Sequence, residues 1–499
     1  MLLGPLTQRV KNIHLIGIGG SGMSGIAEIL VNLGFTVTGS DLRATPVTAR
    51  LESIGARMYI GHSRENVATC DVVVYSSAVR SDNPEIVAAR ERKIPVIGRP
   101  EMLAELMRMK YGICIAGTHG KTTTTSMTGM VLTKGNIDPT IIVGGRVTGF
   151  GGGAKIGRSH YLVLEADEYD RTFLRLTPVI AVITNIDLEH LDCYQDMDDI
   201  STAFTEFANK VPFYGSVILC IDDSGVQNIL PDVTRRVVTY GVSRQAEIRA
   251  ENMQFSGFSS TFDVIVHGVR QVRISLNLPG RHNVRNALAA LAVGVEMGLT
   301  FDTISEALRE FKTVERRFEV KGEECGVLIV DDFAHHPSEI IASLEGVHAG
   351  FDRRIVAVFQ PHLYSRTRDF HEDFGRAFIN TDVLIVTDVY PSREDPIEGV
   401  TGRLVSDAAQ AAGHRNVTYI EKREDLIPVV EDIVREGDIV ITYGAGDIHR
   451  IGTELLGLIR EHGIQQGVST PCQKDRTDTQ TRGLSPLPGD DEKKNETFK

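Results

Sequence analysis

The feature that most constrains this chain is a rhythm: short β-branched apolar runs, each closed by a glycine-rich or polar turn and then a helical pattern, recur from residue 13 to residue 444. IHLIGI, TVTGSD, CDVVVYS, YGICIAG, HYLVLEA, VIAVITNI, SVILCI, VLIVDD, IVAVF, VLIVTDV and DIVITYG all follow it. Apolar runs of this length suit strands buried on both faces of a parallel sheet with helices as crossovers, so the fold class is α/β. At 499 residues the chain outgrows one core, and a prior of roughly 150 residues per domain gives about three.

One break is expected after EMLAELMRMK, where Tyr111 opens a new strand, giving a first domain of 1–109. The charged segment KTVERRFEVKGEE closes a central domain of 110–318, and a third runs over 319–463. From Gln465 the chain is too poor in apolar residues to offset ordering entropy, so 464–499 reads as a disordered tail. A net charge of −13 repels duplexes, so no nucleic-acid partner is expected. No apolar stretch approaches a membrane span, and Arg9 and Lys11 precede a short, glycine-broken run, unlike a signal peptide. The six cysteines lie far apart without a CxxC pair, which fits a reducing compartment and a soluble, cytoplasmic protein, monomer or homodimer.

The strongest local signal is YGICIAGTHGKTTTTSMTGMVL, a strand, a tight glycine turn and a helix. Glycines let backbone N–H groups close on phosphate oxygens, the helix N-terminus adds positive charge, and Lys121 neutralises terminal phosphates. Gly117, Gly120, Lys121 and Thr122 form the turn, with Thr122 placed to ligate magnesium. The spacing GxxGKT is shorter at its front than GxxxxGKS/T, so the motor and GTPase families are not directly implied. A second loop, Gly17, Gly19 and Gly22 in GIGGSGMSGIAEIL, satisfies GxGxxG, with Asp41 at the end of the next strand. That is a nucleotide-diphosphate pattern, and it does not separate a dinucleotide from a UDP-sugar.

Ligands of open α/β sheets bind beyond the carboxyl ends of strands. There stand Glu165, Asp167 and Glu168, then Asp187, Glu189, His190 and Asp192, then Asp332, His335 and His336, and further on His362 and Arg366. Glu165 is placed to hold magnesium against phosphates, with His190 a candidate for a second ion. A zinc site on His190 and Cys193 is a weaker option, and His335 and His336 also suit a helix start before Pro337. A nicotinamide-dependent oxidoreductase leaves GTHGKT idle, and a nucleotide sensor has no need of Glu165, His190 and an arginine together.

In order, GTHGKT, LEADEYD, NIDLEH, GRHNVRNALAA, ERRFE, DDFAHHP and QPHLYSRTRD resemble the Mur ligase family over residues 12 to about 460. GIGGSGMSGIAEIL, SSAVRSDNPEI and IPVIGRPEMLAELM are similar to its alanine-adding branch. The resemblance implies a Rossmann-like first domain, a P-loop-type central domain and a Rossmann-like third domain. It implies ATP and Mg2+, with UDP-N-acetylmuramate and L-alanine as substrates joined through an acyl phosphate. It assigns Gly19, Gly20, Ser21, Gly22, Ser40, Asp41, Ser76 and Ser77 to the UDP-sugar. Gly117, Thr118, His119, Gly120, Lys121, Thr122, Thr123, Asn283, Asn286, Arg317 and Asp331 go to ATP, with Asp331 at the ribose. Thr122, Glu165 and His190 go to metal, and His335, His362 and Arg366 to the amino acid. Lys121, Glu165, His190, Arg317 and His335 are then the catalytic set. Where many members carry a carbamylated lysine this chain has STAFTEFANK, with Thr205 near its place, and Phe333 and Leu363 replace a tyrosine and an arginine of some alanine-adding members.

Overall fold

The computed structural model describes residues 10–76, 78–147, 152–190, 193–392 and 394–464. The tail expected from Gln465 and the candidate Ser77 lie outside them. Among the described residues the strands form three sheets, each confined to its own stretch of chain.

The first sheet is parallel and takes β1 (Asn12–Ile16), β2 (Thr36–Asp41), β3 (Arg57–Ile60), β4 (Val72–Tyr75) and β5 (Val96–Gly98) in the order 3-2-1-4-5. The order reverses between β1 and β4, so a crevice opens where the loops after those two strands diverge.

The second sheet takes β6 (Tyr111–Ala116), β7 (Thr140–Val147), β8 (Gly152–Lys155), β9 (Tyr161–Glu165), β10 (Ile180–Ile183), β11 (Ser216–Cys220), β12 (Val237–Gly241), β13 (Ile248–Ser256), β14 (Ser259–Val266) and β15 (Val269–Leu276). Its order, 15-14-13-12-11-10-6-9-7-8, puts β6 between β10 and β9. Because those three run parallel, the loops that leave their carboxyl ends emerge side by side.

The third sheet takes β16 (Glu319–Glu324), β17 (Val327–Asp332), β18 (Ile355–Phe359), β19 (Val383–Thr387), β20 (Val417–Ile420) and β21 (Ile439–Tyr443) in the order 16-17-21-18-19-20, parallel except for β16.

The expected runs are strands throughout, but the parallel rhythm does not extend across residues 248–276. There β13, β14 and β15 form an antiparallel extension turned at Gly257 and Gly268. Along β13 burial rises and falls from one residue to the next, buried with half-buried at its start and half-buried with exposed at its end, and a search for continuous apolar runs passes over that pattern.

The helix Lys121–Lys134 illustrates how packing overrides propensity. Thr122, Thr123, Thr124 and Thr125 are β-branched and poor helix formers, yet all four are buried. What holds them helical is the neighbouring helix Arg281–Glu296, whose Ala287, Ala289, Ala290 and Ala292 are small enough to admit a close partner. Between the first and second sheets the apolar core is continuous: Met102, Leu106 and Met107 share a cluster with Leu162, Leu164 and Phe204.

The helix Met197–Asn209 begins at an Asp196 cap that accepts from Asp199 N, and it buries Ile200, Ala203, Phe204, Phe207 and Ala208 at helical spacing. Phe173, from the short helical segment after Glu168, packs on Phe204 and Phe207 with ring centroids 5.1 and 5.0 Å away. This trio fixes the loop that carries Glu168. Phe204→Ala removes one of its rings and is expected to destabilise the central unit by roughly 3–5 kcal/mol, read as a lower urea midpoint. A midpoint equal to that of the parent chain would show that the trio does not hold the loop.

Candidate active site

The phosphate-type loop leaves β6 at Ala116 and turns into the helix within four residues. Gly117 has φ +127°, and a Cβ there would stand 2.1 Å from Thr184 Oγ1. Gly120, at the helix N-cap, has φ +79°. Both positions therefore require glycine. The segment after β10 braces the turn: Asn185 Oδ1 accepts from His119 N at 2.7 Å, and Thr184 Oγ1 and Asn185 Nδ2 both donate to His119 O.

Lys121 is folded back over the turn. Its Nζ donates to Gly117 O at 2.7 Å and Thr118 O at 3.0 Å, and it meets both carboxylate oxygens of Glu168 at 2.8 Å. Burial opposes its charge, but Glu168, Asp167 and Glu165 outweigh burial and hold its pKa above the usual lysine value. Thr122 Oγ1 lies 3.0 Å from each oxygen of Glu165, which also accepts from Gly144 N. A hydroxyl and a carboxylate so paired are hard oxygen donors suited to magnesium. His190 has φ +57°, and its Nε2 is 3.5 Å from Glu168 Oε1. The groups gathered round His190 are Glu168 and Glu189, again oxygen donors, so the set fits magnesium better than zinc.

A cavity of about 380 Å3 opens beside the loop, lined among others by His119, Thr123, Asn283, Asn286, Arg317 and Asp332. Asn283 and Asn286 sit one helical turn apart in the helix Arg281–Glu296, and Asn286 Oδ1 is 3.2 Å from Thr124 Oγ1. Asp331, expected at the ribose, does not face this cavity. Its fully buried carboxylate is taken by Arg316 Nε at 3.0 Å and Thr442 Oγ1 at 2.7 Å. Successive side chains of a strand point to opposite faces, so the carboxylate that reaches the cavity is that of Asp332.

A larger cavity of about 680 Å3 is bordered by all three units: Arg99 from the first, Asp167 and His190 from the second, and His335, His362 and Arg366 from the third. Arg366 is an ion-pair partner of Glu189 and lies 3.3 Å from His362 Nδ1. Burial opposes the charge on Glu189, yet Arg366 and the histidines around it hold its carboxyl down to about 2. His335 and His362 meet edge to face, ring centroids 5.7 Å apart. His335, His362 and Arg366, scattered in sequence, are thus brought to one wall.

In the first unit, Gly19 N donates to Asp41 Oδ2 at 2.9 Å, and Gly20 caps the helix Ser21–Asn32 with no side-chain hydrogen bond. Gly22 has the Arg99 guanidinium against it, 2.3 Å from where a Cβ would be. Ser76 follows β4, its Oγ accepting from Ala78 N at 3.3 Å. Ser40 meets the loop through its backbone, its carbonyl accepting from Gly17 N at 2.9 Å and Ile18 N at 3.2 Å, while its buried hydroxyl donates to Glu85 at 2.6 Å, in a cluster with His14, His62 and Asn66. The sequence reading also left Glu168, Arg99 and Glu339 without roles. Glu168 had a signal, its place just after β9, whereas the other two are recruited from other units and carry none.

Three family models match in sequence order: "Mur ligase family, catalytic domain" over residues 12–111, "Mur ligase middle domain" over 115–294 and "Mur ligase, glutamate ligase domain" over 316–446. A UDP-N-acetylmuramate--L-alanine ligase of Salinibacter ruber is 54% identical over 461 residues, 92% of this chain and 97% of the relative. One from a Geobacter species is 53% identical over 449 residues, 90% and 97% of the two chains. Among solved structures, a UDP-N-acetylmuramate-alanine ligase of Thermotoga maritima superposes with a TM-score of 0.76 at 30% identity, covering 91% of this chain and 99% of that one. With all three models matched in sequence order over most of its length, this chain belongs to the Mur ligase family.

Proposed function

We propose that this chain uses ATP to join the lactyl carboxylate of UDP-N-acetylmuramate to L-alanine through an acyl phosphate, releasing ADP and phosphate, as a step of peptidoglycan precursor synthesis in the cytoplasm. The observation that carries the reading is that segments 187–190 and 335–339 border both cavities, the one beside the phosphate loop and the one walled by all three units. A phosphoryl group bound at the first is thereby within reach of an acid and an amine held in the second.

The carboxylate oxygen attacks the γ phosphorus, the bond to the β-phosphate oxygen breaks, and ADP leaves. Phosphoryl transfer asks mainly for alignment and charge neutralisation, which Lys121 and Arg317 supply. Lys121 exchanges Glu168 for phosphate oxygens as the nucleotide enters. Thr122 and Glu165 would hold one magnesium ion and His190 a second, and bound magnesium would neutralise phosphate charge. The amine of alanine then attacks the acyl carbon, and phosphate leaves. An α-amine has a reference pKa of about 7.7 to 8.0, so part of it must lose a proton first, and His335 borders the cavity where this happens. Arg366 and His362 face the alanine carboxylate. Closure of the third unit keeps water from the acyl phosphate. Among the described residues no helix is long and apolar enough to cross a membrane.

The direct test is ADP release with UDP-N-acetylmuramate and each of the twenty amino acids in turn; alanine should give the highest kcat/KM, and no release with any of them would overturn the reading. Lys121→Ala and Glu165→Ala should each lower kcat by roughly 10²–10³-fold or more while calorimetry shows UDP-sugar affinity kept, since that ligand belongs to the first unit. Loss of UDP-sugar binding in step with kcat would count against separate sites.

Asp332 gives a pH-dependent prediction. Burial raises its carboxyl to about 6, despite donors at Ser343 and Ala334. A carboxyl with a raised folded pKa contributes its full share below its unfolded pKa, and that share is lost as pH rises through about 6. Asp332→Asn should therefore unfold at a higher temperature than the parent at pH 8, by the equivalent of roughly 3 kcal/mol, with the gap closing near pH 4. The same variant should bind ATP more weakly. A gap that does not change with pH would show that Asp332 is not the group responsible.

A further inference from the structure

Three groups from separate parts of the chain converge on the carboxylate of Glu339. Arg317 Nη1 lies 3.4 Å from Oε1, His335 Nδ1 3.2 Å from Oε2, and His119 Nδ1 3.6 Å from Oε1. His335 N also donates to Oε2 at 3.0 Å. Glu339 stands in the first turn of the helix Pro337–Gly350, where the helix dipole favours an anion. Its side chain is only 10% exposed, so water does little to screen these contacts.

On the far side of the His119 ring, Nε2 is 3.3 Å from Asp187 Oδ2, and Ser338 Oγ donates to that same oxygen at 2.5 Å. The imidazole of the phosphate loop is thus held between a carboxylate of the second unit and one of the third. We propose that Glu339 is a positioning residue for both halves of the reaction: it orients Arg317 toward the transferring phosphoryl group and His335 toward the amine, and through His119 it ties closure of the third unit to the phosphate loop. This rests on the function proposed above. Burial opposes charge at both groups, yet Asp187 and Glu339 push His119 up to about 10, and His335, His119 and Arg317 hold Glu339 well below the usual carboxylate range. Both shifts favour the ionised pair.

A helix-capping role alone makes a different prediction. Glutamine in place of Glu339 keeps an oxygen that accepts from His335 N but loses the charge that faces Arg317 and His119. In Glu339→Gln we expect kcat to fall at least about tenfold and KM for ATP to rise at least about tenfold, with KM for the UDP-sugar changed less than about twofold. The thermal midpoint should stay within a few degrees of the parent. Because part of the effect runs through Arg317, the fold loss that Glu339→Gln causes should be smaller in the Arg317→Ala background than in the parent. Parent-like kinetics in Glu339→Gln overturn the proposal. So do losses that multiply in the double variant, and a fall in all parameters alongside a lowered midpoint. Should the glutamine variant not fold, Glu339→Asp keeps the charge and shortens its reach, and parent-like kcat there overturns the proposal equally. The parent enzyme's ADP release, measured in the same assay, separates these outcomes from failure of the ligase reading itself.

Discussion

A lysine in the first turn of a helix carries the wrong charge for that helix's dipole, and the site is organised around that conflict. Lys121 opens the helix Lys121–Lys134, where the free N–H groups already make the potential positive. Its ammonium folds back onto two loop carbonyls and Glu168. The turn it folds over exists only because Gly117 and Gly120 take conformations closed to other residues. A phosphate chain relieves the conflict by meeting the N–H groups and the ammonium together.

Sheet order then decides what the phosphate meets. Because β6 lies between β9 and β10, the turn after it stands between Glu165 and Glu168 on one side and the segment 184–190 on the other. Those carboxylates are fifty or so residues distant in sequence, and only the parallel register makes them neighbours. The third sheet repeats the device with β17, β21 and β18, whose adjacent ends present His335 and His362 to the same cleft.

What could be read from sequence follows from this. The glycine turn was legible because its chemistry is local: strand, turn, lysine and helix lie within one short stretch. The parallel strands were legible because burial on both faces leaves a continuous apolar run. β13 to β15 were not, since one wet face breaks that run into alternation. The misplacement of the ribose contact at Asp331 has a similarly simple origin. Two consecutive aspartates at a strand end look alike in sequence, but the pleat sends one to Arg316 in the interior and the other to the cavity. Ser40 likewise looked free, and the buried Glu85 that claims its hydroxyl is forty-five residues away. Partners contributed by another unit, such as Glu339 beneath Arg317, leave no local trace at all.

A site for a polyanion that is lined with Glu165, Glu168, Asp187, Glu189 and Glu339 looks self-defeating until each carboxylate is matched with its partner. Glu165 accepts from Thr122 Oγ1 and Gly144 N, Glu168 faces Lys121, Asp187 and Glu339 flank His119, and Glu189 faces Arg366. Buried charges left unpaired would be prohibitively costly, so the closed cleft must satisfy its cations internally before any substrate arrives. Binding then exchanges one set of pairs for another, and only the difference between the two sets contributes to affinity. Breaking the internal pairs costs the bound substrates and the transition state alike, so the exchange weakens binding without changing the barrier. Rate enhancement has to come from contacts that tighten as charge moves from nucleotide to acyl phosphate, the part that the proposed mechanism gives to Lys121 and Arg317.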